Sequence, residues 1–128
     1  MTQVRDAMTQ DVLTTTPDKS IVDAAKLMRA QGRGSIVVVD RERPVAIVTE
    51  RDFLKKVVAE GLTPNSVTVR QVMSSPLVTV GPTTSLRDAA AVMTDKKIRR
   101  LPVVENDRLV GMITTSDFFP RIDWNEAI

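Results

Sequence analysis

The chain has no cysteine, no histidine and no tyrosine, and its aromatic side chains are limited to three phenylalanines and one tryptophan. Without cysteine, disulfides and thiolate metal sites are excluded. Without histidine, the commonest general base and the commonest transition-metal ligand are both missing, so a metal centre and an enzyme become poor expectations. Charge of one sign is also lacking. Lys plus Arg number 18 against 16 for Asp plus Glu, a net +2 that conflicts little with a pI of about 9.3 because the two signs are interspersed. Nucleic-acid binders show a basic stripe with aromatic partners, and 3% aromatic residues argue against one. No apolar run approaches the roughly 20 residues that cross a bilayer. The start of the sequence, Met1 to Asp6, lacks the charged-then-apolar pattern of a signal peptide. A cytoplasmic protein with no membrane contact is the expectation.

What is present is a repeat. Residues 4–53 align without a gap on 69–118 at a constant offset of 65, with 17 identities in 50 positions. Asp23-Ala24-Ala25 recurs as Asp88-Ala89-Ala90, Met28 as Met93, and Asp52-Phe53 as Asp117-Phe118. Two copies are too few for a solenoid, so the 128 residues read as two half-size units sharing a core. The boundaries expected are 1–60 and 69–120, with 61–68 as linker and 121–128 as a tail.

Each copy carries the same local signals in the same order. A short apolar strand (Val12–Thr15; Leu77–Val80) runs into a proline at 17 or 82. Ser20 and Ser85 then look like helix N-caps, each with an aspartate three residues on that could complete a capping box. Ile21, Ala24, Ala25 and Met28, repeated as Leu86, Ala89, Ala90 and Met93, fall at i, i+3, i+4 and i+7 of a helix. Two β-branched runs follow, Ile36–Val39 with Val45–Val48 and Leu101–Val104 with Leu109–Ile113, joined by turns short enough for hairpins. A second helix, from Glu50 to about Glu60 and from Thr115 to about Phe119, closes each unit. The fold class expected is α/β (α+β): two tandem β-α-β-β-α units packed sheet to sheet about a pseudo-two-fold axis. A unit of about 60 residues is marginal alone, which is why the twin should cover one face of its sheet.

The sharpest local signal is a strand followed by Thr-x-x-Asp, at Thr49–Asp52 and again at Thr114–Asp117. One reading is another capping box that merely anchors a helix start. The other is a ligand site: free N–H groups and the positive end of the helix dipole suit a phosphate, and a carboxylate one turn in can accept from two vicinal ribose hydroxyls. The two readings can coexist.

Val69-Arg70-Gln71-Val72-Met73 with Pro76–Val80, then Ile98–Val104, then Arg108–Thr114 with Asp117 form a series that resembles the CBS-domain family, named after cystathionine β-synthase. Gly34–Asp40 and Val45–Phe53 match the same frame in the first copy. The resemblance covers the chain almost end to end. It implies a regulatory module whose two clefts bind adenosine-containing ligands such as AMP, ADP, ATP or S-adenosylmethionine, with no cofactor required. Carried over by position, cleft A would use Asp52 for the ribose and Thr49 for phosphate or ribose. Ile47 would lie under the base, facing Val80, Ser85, Ile98 and Arg99. Cleft B would use Asp117, Thr114 and Met112, facing Thr15, Ser20, Arg33 and Gly34.

The copies differ in charge. Arg51 and Arg99, with Arg100 beside them, are expected to gather at cleft A, whereas Ser116, Gly34 and Ser35 stand at the corresponding positions of cleft B, with Arg33 nearby. Cleft A is therefore expected to prefer ligands with more phosphates. Gly111 stands where the first copy has Ala46, which would leave a close ligand more room in cleft B. Phe53, Leu54, Val57, Val58, Phe118 and Phe119 exceed what one small monomer needs to cover, so a homodimer through these helices is expected. Trp124 in the tail could cap the core or meet a partner subunit. The competing function is a dimerisation or protein-interaction module with empty clefts.

Overall fold

The computed structural model describes residues 2–119. In chain order these form α1 (Val4–Ala7), β1 (Thr14–Thr15), α2 (Ile21–Gln31), β2 (Ser35–Asp40), β3 (Arg43–Thr49) and α3 (Glu50–Asp52). A π-helical stretch, Phe53–Val58, continues α3, and a 3₁₀ turn spans Pro64–Ser66. The second half holds α4 (Val69–Val72), α5 (Leu86–Lys96), β4 (Arg100–Glu105), β5 (Arg108–Thr114) and a 3₁₀ turn at Thr115–Phe118. This is the α+β arrangement of two similar units read from the repeat.

The long helices start where the serines predict. Ser20 Oγ accepts from the Val22 N–H and Ser85 Oγ from the Asp88 N–H, both at 3.0 Å. The apolar stripe turns inward: Ile21, Ala24 and Met28 are buried on α2, Ala89 and Met93 on α5. Gly32 ends α2 at φ +63°, the left-handed cap that glycine adopts without Cβ strain. The hairpins turn in two residues each. Arg41-Glu42 and Asn106-Asp107 all have positive φ, the geometry that matches the twist of the flanking strands.

In the first sheet β1 runs parallel to β2 and β2 antiparallel to β3. In the second, β4 and β5 pair antiparallel, and the counterpart of β1 shrinks to a single parallel bridge between Val80 and Val103. Leu77 and Val78, expected in a strand, line the junction between the halves instead. The helix expected from Glu50 to about Glu60 widens to i→i+5 bonding after Asp52, which keeps Phe53 and Val57 on one face against the core. Its twin stops after one 3₁₀ turn.

Side chains alternate along a strand, and the alternation here divides two environments. Ile36, Val38, Ala46 and Val48 enter one core, and Leu101, Val103 and Ile113 enter the other. Between them Val37 and Ile47, which pair across β2 and β3, point the opposite way, as do the paired Pro102 and Met112. These faces bring the two sheets together.

Each core also takes in a helix from the other repeat. Val4 of α1 is fully buried in the second core, with Val80, Leu101 and Ile113; Val69 and Val72 of α4 are buried in the first. The hydrogen bonds are reciprocal. Val4 N–H donates to Thr84 O and Val69 N–H to Lys19 O, both at 2.8 Å; Arg5 N–H donates to Pro82 O and Arg70 N–H to Pro17 O. Thr9 pairs with Met112 and, 65 residues on, Ser74 pairs with Ile47. The repeats thus exchange their leading segments, and neither core is complete without the other copy.

Candidate functional site

The strand-to-helix corners are built identically. Asp52 Oδ2 accepts from the Thr49 N–H and Asp117 Oδ2 from the Thr114 N–H, each at 2.8 Å. Each threonine hydroxyl also lies 3.3–3.4 Å from the same carboxylate oxygen. Both motifs therefore cap. The position of the chain before each corner is fixed by one more reciprocal pair, Glu50 N–H to Gly34 O and Thr115 N–H to Arg99 O, which ties each corner to the loop entering the adjacent strand.

Cleft A is a cavity of about 490 Å³ at the junction, within the several hundred Å³ common for small-molecule pockets. Ile47, Thr49, Arg51, Ile98, Arg99 and Arg100 line it, as the sequence reading placed them. Asp52 does not: it is 8% exposed, and its second oxygen lies 3.1 Å from Lys56 Nζ. Val80 is enclosed in the second core, and the Ser85 hydroxyl is consumed by its cap, so neither is on this wall.

Cleft B is smaller, about 270 Å³, with Met112, Thr114, Asp117, Arg33 and Gly34 along it. Arg33 also approaches Asp11 at 3.7 Å. Thr15 lies instead beside Lys19 and Leu27 in a separate depression under α2, and Ser20 caps that helix. The difference from the sequence reading has two causes: Val80 is drawn into the second core, and Ser20 and Ser85 are committed as caps at the starts of α2 and α5.

Several lining residues escaped the sequence reading. In cleft A these are Glu50, Ser74, Pro76, Leu77, Val78, Lys97 and Pro102, and in cleft B Thr9, Val12, Leu13, Gly32 and Arg100. The repeat itself held the signal, since Thr9, Val12 and Leu13 are the counterparts of Ser74, Leu77 and Val78. Gly111 proved to face away from any cleft. A Cβ there would lie 2.5 Å from Met8 Sδ and 3.1 Å from Thr9 O, so the missing side chain admits the exchanged leading segment rather than a ligand.

A profile of the CBS domain matches residues 4–59 and again 69–123. The chain belongs to the CBS domain family. Its CBS repeats are 38% identical over 127 residues to the CBS domain-containing protein YhcV of Bacillus subtilis, covering 99% of this chain and 90% of that one. They are 40% identical over 116 residues to an uncharacterized protein of Methanopyrus kandleri, covering 89% of this chain but 59% of that longer one. Among solved structures, a CBS domain pair in complex with 5′-methylthioadenosine and S-adenosyl-L-methionine superposes with a TM-score of 0.82 at 26% identity, over 91% of this chain and 95% of that one.

Proposed function

We propose that this CBS pair is a regulatory module that binds an adenosine-containing ligand (AMP, ADP, ATP or S-adenosylmethionine) between its repeats and catalyses no reaction. The observation that carries the reading is the composition of cleft A. Ile47, Leu77 and Pro102 supply an apolar slot for a base, while Arg51, Lys97, Arg99 and Arg100 supply cations for phosphate and outnumber the one lining carboxylate, Glu50. Charge-assisted bonds to phosphate are the strong class of hydrogen bond. The neighbour that holds two adenosine compounds supports the ligand class. In this reading Thr49 meets ribose or phosphate, and Asp117 meets a ribose in cleft B. Asp52 reaches a ribose only by leaving Lys56, and Val80, Ser85, Thr15 and Ser20 shape the clefts from behind.

Calorimetric titration with adenosine, AMP, ADP, ATP and S-adenosylmethionine tests this, with a thermal-shift screen beside it. A ligand at about 100 times its dissociation constant should add roughly 2.7 kcal/mol if it binds only the folded state. No heat and no shift with any of the five at millimolar concentration would reject the proposal.

A homodimer is the second part of the reading, and a specific surface favours it. Phe53, Val57 and Phe118 are used by the cores, but Leu54, Val58 and Phe119 remain 61%, 67% and 70% exposed. An apolar groove lined by Ile21, Val22, Phe53, Val57 and Val58 runs beside them. Sedimentation should give twice the 14.1 kDa chain mass, and Leu54→Glu should return it to monomer. Among the described residues no helix is long and apolar enough to cross a membrane; a cytoplasmic setting and a regulated protein partner belong to the same proposal, while Trp124 lies outside the described residues.

A further inference from the structure

Arg100 lines both clefts. It opens β4 opposite Thr114, and because its neighbour Leu101 enters the core, the pleat turns Arg100 toward the junction. Its counterpart across the pseudo-two-fold axis is Ser35, which also lines cleft B. An arginine in one copy and a serine in the other leave room for a single guanidinium near the axis. That group lies against the backbone of Gly34: a Cβ built there would be 2.7 Å from Arg100 Nη2. Among the described residues no ion pair holds it, the pairs present being Arg33–Asp11, Lys56–Asp52 and Arg70–Asp18, although the Glu50 carboxylate borders the same spot, its Oε1 3.5 Å from that Cβ position.

We infer that Arg100 is shared by the two clefts and couples them, so that a phosphate-bearing ligand in cleft A weakens a second one in cleft B. This rests on the adenosine-ligand reading. The physical ground is that one side chain holds one position at a time, so presenting the bidentate edge of its guanidinium to a phosphate in one cleft draws it out of the other. Whichever ligand recruits Arg100 withdraws it from the other cleft. Adenosine, which has no phosphate, binds both clefts without this coupling.

The test measures ADP binding to cleft B by calorimetry with cleft A either filled by ADP or blocked by Ile47→Trp. Sharing predicts that cleft B binds ADP about 10-fold more tightly when cleft A is blocked, within the usual range of coupling between sites. Adding Arg100→Gln should reduce that ratio to within about twofold. Gly34→Ala provides an independent variant. It pushes the guanidinium off the glycine and should reduce the ratio in the same direction. If the ratio persists or grows in both variants, the coupling is direct repulsion between phosphates, and sharing is refuted. If adenosine shows the same 10-fold ratio, sharing is refuted too. If neither adenosine nor ADP binds the unmodified protein, the ligand reading fails first and takes this inference with it.

Discussion

Lys56 Nζ sits 3.1 Å from Asp52 Oδ1 and donates to the Val72 carbonyl at 2.8 Å. One ammonium group thus fastens the corner of the first repeat to α4 of the second, and in doing so occupies the carboxylate oxygen that the family resemblance would give to a ribose. Lys56→Met should leave Asp52 buried with its cap alone. A buried group that loses its partner costs about 1–3 kcal/mol, readable by urea denaturation. The same change should strengthen adenosine binding at cleft A several-fold. If stability falls and adenosine affinity does not rise, the ion pair is purely structural.

Arg99 is exposed and lines cleft A alone. A charge-assisted bond to phosphate contributes about 1.5–3 kcal/mol, so Arg99→Ala should weaken ATP by roughly tenfold or more while changing adenosine little. The loss should shrink as salt rises. Equal weakening of ATP and adenosine in the titration would mean that the arginine supports the cleft wall and not the phosphate.

Gly111 is buried, and the Thr9 backbone stands in the way of any added carbon. Overpacking of this kind costs about 1–3 kcal/mol, so Gly111→Ala should lower the unfolding midpoint. Nucleotide affinity per folded molecule should stay unchanged, because the glycine serves the exchanged segment. A drop in affinity at unchanged stability would return Gly111 to the cleft.

Val4 and Val69 are both fully buried, each in the core of the other repeat. Each valine-to-alanine change removes about two buried methylene equivalents, worth roughly 1.6 kcal/mol before any cavity cost. Hydrogen exchange should separate them. Val4→Ala should speed exchange first in α5, β4 and β5, whereas Val69→Ala should speed it first in α2, β2 and β3. The reverse pattern would contradict the exchange of leading helices.

Glu42 holds φ +68° in the first hairpin turn, a conformation that costs an L-residue about 1–2 kcal/mol relative to glycine. Glycine also loses more entropy on folding, so Glu42→Gly should stabilise the protein by a net of about 0.5–1 kcal/mol. Thermal unfolding that shifts downward instead would mean that the Glu42 side chain carries a stabilising role of its own.

The sequence by itself determined the repeat, the long helices, the hairpins and the corner motifs, because each is written in neighbouring residues. Ser20 and Ser85 cap within three positions, the Ala24 and Met28 stripe follows the helical period, and Thr49 meets Asp52 one turn away. Cross-repeat placement of Ile47 against Arg99 was legible only through the family resemblance. Tertiary structure alone decided which core each helix serves, since Val4 and Val69 hold equivalent positions in the two copies and either could have packed on its own copy. It also decided that Lys56 reaches the Val72 carbonyl, that Gly111 faces Met8, and that Arg100 reaches both clefts. The physical reason is common to all four. Local propensity and pattern act over a few residues, whereas these contacts join segments at least 16 residues apart whose approach is set by burying two incomplete cores against each other.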